Sequence, residues 1–459
     1  MCFIFFFFIF HTESIVYPDS SGTEFVFAFP TPTSSMRSVY LLITTLSTDP
    51  FQVSVTVLGI EFETSVTVSR NNYANLTLPE ETILRMTESG FLQRTVRINA
   101  EARVSVYAVC GGRTTIDAFI VLPRASYGNQ YVVASYEPLT SYGHASQFSM
   151  SAMDTITRIN ITTAHAASEV IQLQPYETYQ YRDAERDLTG TRIQSDNAVS
   201  VMTGNQCANV PTTTGKCEYL VDHLPPVQYR GRRFVLAPFL GRRSGYVFRV
   251  MTAGDSATVT LSNGDSAKIS PYSYYEKDVS DGDTVIVKST APVMVTQYAK
   301  GCYSDYLTGD PFMMLIPPVE FYSSSITFPV TTIATSETQK QYLNIIIQCQ
   351  YSESIVLDGH LDYEWETITA DDGFCVLRGT VSTGVHTVWH QSSEARFVVI
   401  VYGFAWRASY AYVAGFNLQE PATSPTTTPE TPEKGKNWLP VSSKCAIFNL
   451  HYSNNVYCY

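Results

Sequence analysis

Apolar and polar positions alternate with a period of two along most of this chain. Phe51 to Ser69 reads FQVSVTVLGIEFETSVTVS, which predicts strands burying one face. Ser256 to Ser270 reads SATVTLSNGDSAKIS, where Asn263-Gly264 between two such runs predicts a hairpin. Asp281-Gly282 before DTVIVKS and Asp358-Gly359 after ESIVL predict further turns between antiparallel strands. Helical spacing is nearly absent. Only Pro79 to Ser89, PEETILRMTES, reads as one or two helical turns.

The pattern also recurs at long range. Runs VSVYAV from Val104, VSVMTG from Val199, VMVTQYA from Val293 and FVVIVYGFA from Phe397 begin 95, 94 and 104 residues apart. Each of the first three leads into an apolar segment containing Pro: DAFIVLPRASY from Asp117, EYLVDHLPPVQY from Glu218 and PFMMLIPPVEFY from Pro311. The fourth leads into SYAYVAGF from Ser409. A near-constant period with shared local grammar means that one β-unit was duplicated. Within each copy, stretches such as TVRINAEARVSVYAV read as strand, Ser/Asp/Ala turn, strand. Proline lacks the ladder donor, so the segments at Leu122-Pro123, Leu224-Pro225-Pro226 and Ile316-Pro317-Pro318 read as edge strands or connectors between units.

The expected fold class is therefore all-β, with four tandem antiparallel β-sandwich-like units at 22–140, 141–240, 241–328 and 329–420. Residues 1–14 read as a signal-like or mispredicted start, because the apolar run Phe3 to Phe10 is shorter than a membrane-spanning helix. Residues 421–434, PATSPTTTPETPEK, read as an extended Ser/Thr/Pro linker, and 435–459 as an unstructured tail.

Composition narrows the setting. Only 16% of the 459 residues are charged, while 30 Tyr and 25 Phe suit half-buried pleated surfaces. A net charge of −12 argues against nucleic acid as the main partner, because neutralising phosphates needs a basic face. No other run is long and apolar enough for a membrane span. The nine cysteines form no CxxC and show no zinc spacing. With candidate glycosylation sites at Asn75 and Asn160, they indicate a secreted, oxidising environment. Cys207 and Cys217, which would close a short Pro/Thr/Gly loop, are the first expected disulfide, and Cys349 with Cys375 the second. Cys110 and Cys302 stand at places like that of Cys207, and their pairing stays open.

Several segments carry a family resemblance. These are GTEFVFAFP from Gly22, CANVP from Cys207, CEYLVDHLPPV from Cys217, GRRFVLAPF from Gly231, GDPFMMLIPPVEFY from Gly309 and YGFAWRASYAYVAGF from Tyr402. In this order, over residues 22 to 418, the chain resembles the IgG Fc-binding N-terminal domain family. The resemblance implies that 22–420 together make one extracellular binding or adhesion domain with no catalysis and no cofactor. It also implies a protein or glycoprotein partner, in proteins that carry cysteine-rich, EGF-like or von Willebrand factor D modules. It singles out no Fc-contacting residue here.

Candidate chemistry is sparse. His386 and His390, with His360, have a helical metal spacing but lie in a strand-like run. Asp305 and Asp310 read as loop acids rather than an acid/base pair. Asp281-Gly282-Asp283 and Asp371-Asp372-Gly373 read as turns rather than calcium loops, and Cys302 as structural. There is no GxSxG, phosphate loop or HExxH, so no catalytic or metal residue is assigned. One basic island stands out: Arg230, Arg232, Arg233, Arg242 and Arg243, with no acid between them. Arginine recognises planar anions bidentately, which makes the island a candidate site for a sulfated or sialylated glycan or an acidic protein. The competing expectation is solvated loops paired with acids of other units. The function expected is a secreted or cell-surface binding module engaging extracellular glycoproteins or mucus components. The alternative is a lectin or a carbohydrate-active β-sandwich enzyme, the latter needing two carboxylates in one cleft.

Overall fold

The computed structural model describes residues 20–112, 115–279, 282–332 and 340–418; the expectations for 1–14, 421–434 and 435–459 fall outside them. The strands fall into four sets. The first is β1 (Gly22–Phe27), β2 (Met36–Thr44), β3 (Phe51–Val57), β4 (Phe62–Val68), β5 (Ala74–Leu78), β6 (Gly90–Leu92), β7 (Val96–Gly112) and β8 (Ile116–Val121). The second is β9 (Gly128–Val132), β10 (Ser146–Ala152), β11 (Thr157–Thr162), β12 (Glu169–Leu173), β13 (Thr178–Asp183), β14 (Arg192–Ala208) and β15 (Glu218–His223). The third is β16 (Gly231–Leu236), β17 (Tyr246–Thr252), β18 (Ala257–Leu261), β19 (Ser266–Ile269), β20 (Tyr274–Val279), β21 (Val285–Ala299) and β22 (Met313–Ile316). The fourth is β23 (Ser325–Val330), β24 (Lys340–Gln348), β25 (Ile355–Leu357), β26 (Glu366–Thr369), β27 (Phe374–Thr380), β28 (Gly384–His390), β29 (Phe397–Ala405) and β30 (Ala408–Gly415).

The period-two pattern does what it predicts. In β3, Phe51, Val53, Val55 and Val57 are buried while Gln52 is exposed. Asn263-Gly264 turns β18 into β19, with Gly264 at φ +90°. Asp358 and Gly359, at φ +54° and +85°, close a tight turn flanked by the Leu357–His360 bridge. The segment 79–89 is not a helix beyond one 3₁₀ turn at Glu80–Thr82. Its Ile83 and Leu84 are buried, and Leu84 N–H donates to Phe29 O at 3.0 Å, so extended pairing wins over helix.

In the first three sets one long strand serves two layers. The first half of β7 pairs with β1 and β3, its second half with β2 and β8. Side chains from both layers, such as Val55 and Ile98 with Leu41 and Val106, share one core, which makes the unit a sandwich. The expected strand–turn–strand is thus one continuous strand in β7, β14 and β21. The Ser/Asp/Ala stretch becomes a bulge, where Asn99 to Val104 faces only Glu24 to Gly22. The same bulge lies between Gln194 and Val199 and between Lys288 and Val293. Only the fourth unit breaks, into β28 and β29. There the interval from Trp389 to Phe397 faces Ser325 to Ser323, and this longer insertion does not fit a bulge.

The duplication is visible in register. Val104 lies opposite Gly22, Val199 opposite Gly128, Val293 opposite Gly231, and Phe397 opposite Ser323. Asn71, Tyr176, Tyr272 and Asp372, each in the turn after the fourth strand of its layer order, all take the left-handed conformation. Strands β9 and β16 fall inside the spans 22–140 and 141–240 but pair with the long strands β14 and β21 of the following sets.

The Pro-containing segments are more than connectors. Strands β8, β15 and β22 pair at the edge of their own sheets, yet every residue in them is buried. The reason is a closed circuit: β8 touches β15, β15 touches β22, β22 touches β30, and β30 returns to β8. Alternation then feeds two cores. From β8, Phe119 and Val121 enter the first unit's core, while Ile116, Ala118 and Ile120 enter a central cluster with Met314 and Tyr412. The proline ends each strand and leads into a 3₁₀ turn, at Arg124–Ser126, Val227–Tyr229 and Val319–Phe321.

Neighbouring units are joined in repeating ways. Strand β6 adds to the second unit by pairing with β13. Arg97 stacks over Tyr176, and Arg192 over Tyr272, across consecutive joints. The circuit closes where Tyr107 OH donates to Ala414 O and Phe416 N–H donates to Ser20 Oγ at 3.3 Å.

Candidate functional site

The five arginines of the basic island do different jobs. Arg242 is buried and grips Asp305 with Nε at 2.8 Å from Oδ2 and an NH2 nitrogen at 3.0 Å from Oδ1. Asp305 also accepts from the backbone of Arg243, Ser244 and Leu307. Burial raises the pKa of its carboxyl, but Arg242 and these N–H groups bring it below the ordinary value. Arg230 spends its guanidinium on the carbonyls of Val227, Ala253 and Pro292. Arg233 reaches Asp372 of the fourth unit at 3.5 Å and lies over Phe374. Arg232 is exposed and donates to Thr290 O, and Arg243 is exposed beside the Asp305 loop. The island is therefore divided between structural duty and two outward arginines.

The other candidates resolve similarly. Asp305 and Asp310 have separate partners. Asp310 is buried beside Cys302, and burial raises its pKa. His386 faces acceptors on both ring nitrogens, Asp358 Oδ2 at 2.7 Å and Ser382 O at 2.9 Å, and His390 approaches the Tyr351 carbonyl at 3.0 Å. Among the described residues the one grouping with metal-like proximity is His144 with Cys207 and Cys217. Those two sulfurs are bonded to each other, so they offer no thiolate. Cys349 is bonded to Cys375. Cys110 lies inside β7 opposite Asp117, Cys207 at the end of β14 and Cys302 in the 3₁₀ turn beyond β21, and both Cys110 and Cys302 are free thiols. Asn75 is exposed on β5, whereas Asn160 is half-buried on β11 with its Oδ1 enclosed.

No motif announces what the ring assembles at the ends of its inner strands. Thr115 donates to Glu218, Asp310 lies within electrostatic reach of Glu218, and Ser409 donates to Asp310 O, so the starts of β8, β15, β22 and β30 converge. The loops preceding those starts therefore share one end. The disulfide loop packs Gly215 and Lys216 on the Tyr303 ring, with Nζ 5.9 Å from its centre. Gly301 N–H donates to Val210 O at 2.8 Å, pinning the two loops together. In the fourth unit, Trp406-Arg407 forms the two-residue turn between β29 and β30, with Arg407 over the indole at 4.9 Å. Tyr303, Tyr306 and Trp406 are 50%, 88% and 60% exposed, unusual for aromatic side chains. Lys216, Arg243 and Arg407 are exposed beside them and form no ion pair among the described residues. Each residue was in plain view in the sequence; only the ring brings loops of three units to one end.

The chain is 22% identical to the human IgGFc-binding protein over 392 residues, which is 82% of this chain and 7% of that protein's length. The chain thus spans a small part of that relative. The profile of the IgGFc binding protein family matches residues 117–403, well over half of the chain. That match runs from β8 through β29, across most of the ring. With the motifs GDPFMMLIPP and EYLVDHLPP lying on the ring strands β22 and β15, the chain belongs to the IgGFc-binding protein family.

Proposed function

We propose that the ring of residues 20–418 is a non-catalytic, extracellular binding module for glycoproteins, of the kind present in mucus or at cell surfaces. The observation that carries this reading is the ring's exposed end, where loops of three units hold solvent-facing aromatics, and cations with no ion pair among the described residues, on a buried core. Aromatic side chains supply contact area at low entropy cost, and cations supply anion recognition. The two disulfides among the described residues suit an oxidising compartment. Family membership supports a protein partner, and the name of the human relative refers to IgG Fc; whether this chain binds an immunoglobulin is a separate test with purified Fc. We also assign Asn75 as the glycan-bearing sequon, since its side chain reaches solvent, with Asn160 requiring modification before its strand closes over it.

The test is surface-immobilised full-length chain exposed to a purified mucin-type glycoprotein, with released sugars assayed in parallel. Saturable binding without sugar release is expected. Sugar release would favour the carbohydrate-active enzyme, and the absence of binding to glycoprotein and Fc alike would end the binding reading.

A further inference from the structure

Resting on that binding reading, we propose that the ring end built by Lys216, Arg243, Tyr303, Tyr306, Trp406 and Arg407 is the ligand site, and that it takes a sulfated or sialylated glycan chain.

Three observations converge. The first is charge. The chain carries −12 overall, yet this end presents three exposed cations with no ion-pair partner among the described residues. Of the neighbouring carboxylates, Asp305 is clamped by Arg242, and Asp310 is buried, within electrostatic reach of Lys216 and Arg407 but in no ion-pair contact with either among the described residues. A positive patch on an acidic molecule selects an anion and repels neutral competitors little.

The second is shape and chemistry. Tyr303, Tyr306 and Trp406 stand out from loop tips, so their rings offer flat faces. The apolar C–H face of a sugar ring stacks on such a face, while sulfate or carboxylate groups bond Lys or Arg. The cations sit on the aromatics themselves, Lys216 over Tyr303 and Arg407 over Trp406, so one sugar unit meets both kinds of contact. An acidic protein surface satisfies the cations but offers few flat apolar rings to match.

The third is backbone conformation. Lys216, Tyr306 and Arg407 all sit at left-handed φ, +73°, +59° and +57°. Four of the other non-glycine residues with positive φ, Asn71, Tyr176, Tyr272 and Asp372, are the repeated turn of the four units. Three bulky side chains in this costly conformation, on one end of the ring and outside that repeat, mark a place where side-chain presentation is held against local preference.

The experiment uses the full-length chain and a sulfated polysaccharide of hexose–hexosamine repeats, with its desulfated form and a sialylated glycopeptide as further arms. The double variant Lys216→Ser/Arg407→Ser and the single Tyr306→Ser are compared with Arg232→Ser, which lies outside this end. All alter exposed residues, and matching melting temperatures confirm folding. We expect saturable binding of at least one anionic arm, no binding of the desulfated form, and roughly tenfold weakening in the double variant that shrinks at high salt. Tyr306→Ser weakens binding at every salt concentration, and Arg232→Ser leaves it unchanged. Glycoprotein binding that survives both ring-end variants would overturn the site while leaving the binding reading intact. Equal binding of sulfated and desulfated chains, or capture of an acidic protein but neither anionic glycan, would overturn the ligand class.

Discussion

Arg249 is the residue on which the joint between the second and third units turns. It is fully buried, pairs with Asp187 at 2.6 Å and Glu276 at 2.7 Å, donates to Ser135 O at 2.9 Å, and is flanked by the rings of Tyr136 and Tyr274. Burial opposes its charge, but Asp187 and the surrounding groups hold its pKa above the ordinary value. Arg249→Met should cost about 3–5 kcal/mol, because it leaves Asp187 buried without its cation. Chemical denaturation reads that loss, and adding Asp187→Asn should recover part of it. A second buried pair sets the pH response. Burial brings Asp222 up to about 7 and His223 down to about 3. The Asp222 contribution is complete below its ordinary value of 3.8 and is lost as pH rises through about 7. The His223 contribution is complete above 6.5 and is lost as pH falls through about 3. Asp117 and Glu218 are pushed upward by burial too, adding to the alkaline limb. Melting temperature should therefore fall toward both extremes. His223→Phe should flatten the acid limb, while costing about 1–3 kcal/mol at neutral pH by orphaning the Leu122 N–H that its Nδ1 accepts.

At the scale of elements, the repeated device is a glycine opposite a long-strand valine, pressed on a proline. A Cβ added at Gly22, Gly128 or Gly231 would lie 2.4, 2.7 or 2.2 Å from the Cβ of Pro123, Pro226 or Pro318. Gly231→Ala should destabilise the protein by roughly 1–3 kcal/mol, through overpacking alone. The same change at Gly264, where nothing lies within 4 Å, costs only left-handed strain, so the two melting shifts separate contact from conformation. Removing the Cys207–Cys217 bridge with paired serines should lose ~2–4 kcal/mol through the freed loop. Much at this scale was legible in the sequence. Val104, Val199, Val293 and Phe397 mark equivalent register positions because spacing and pattern are local properties that duplication preserves. The bulge reads as a turn from sequence because Ser, Asp and Ala suit both, and only the facing strand decides. The Arg island looked like one site because sequence proximity hides that Arg242 points inward to Asp305 and Arg233 reaches across to Asp372. Lys216, Tyr306 and Trp406 carried no signal, since their meeting depends on contacts among three units.

At the scale of the molecule, the inner strands are buried on both faces, and one of those faces belongs to the shared centre. No unit can therefore satisfy its own inner strand alone, unlike a solenoid repeat that needs only its neighbours. Residues 124–318 expressed alone should be aggregation-prone and bind hydrophobic dye, whereas 20–418 should unfold in one cooperative transition; two separate transitions for 20–418 would contradict the closed circuit. That circuit also has a mechanical meaning. Ser20 and Phe416 touch, so polypeptide attached to either side of the ring pulls on nearly the same point. Tension along a longer filament would then pass through this one junction instead of through the four units. The ring would hang from any such chain as a pendant, loaded last, keeping its exposed aromatic end in shape while the flanking polypeptide is stretched.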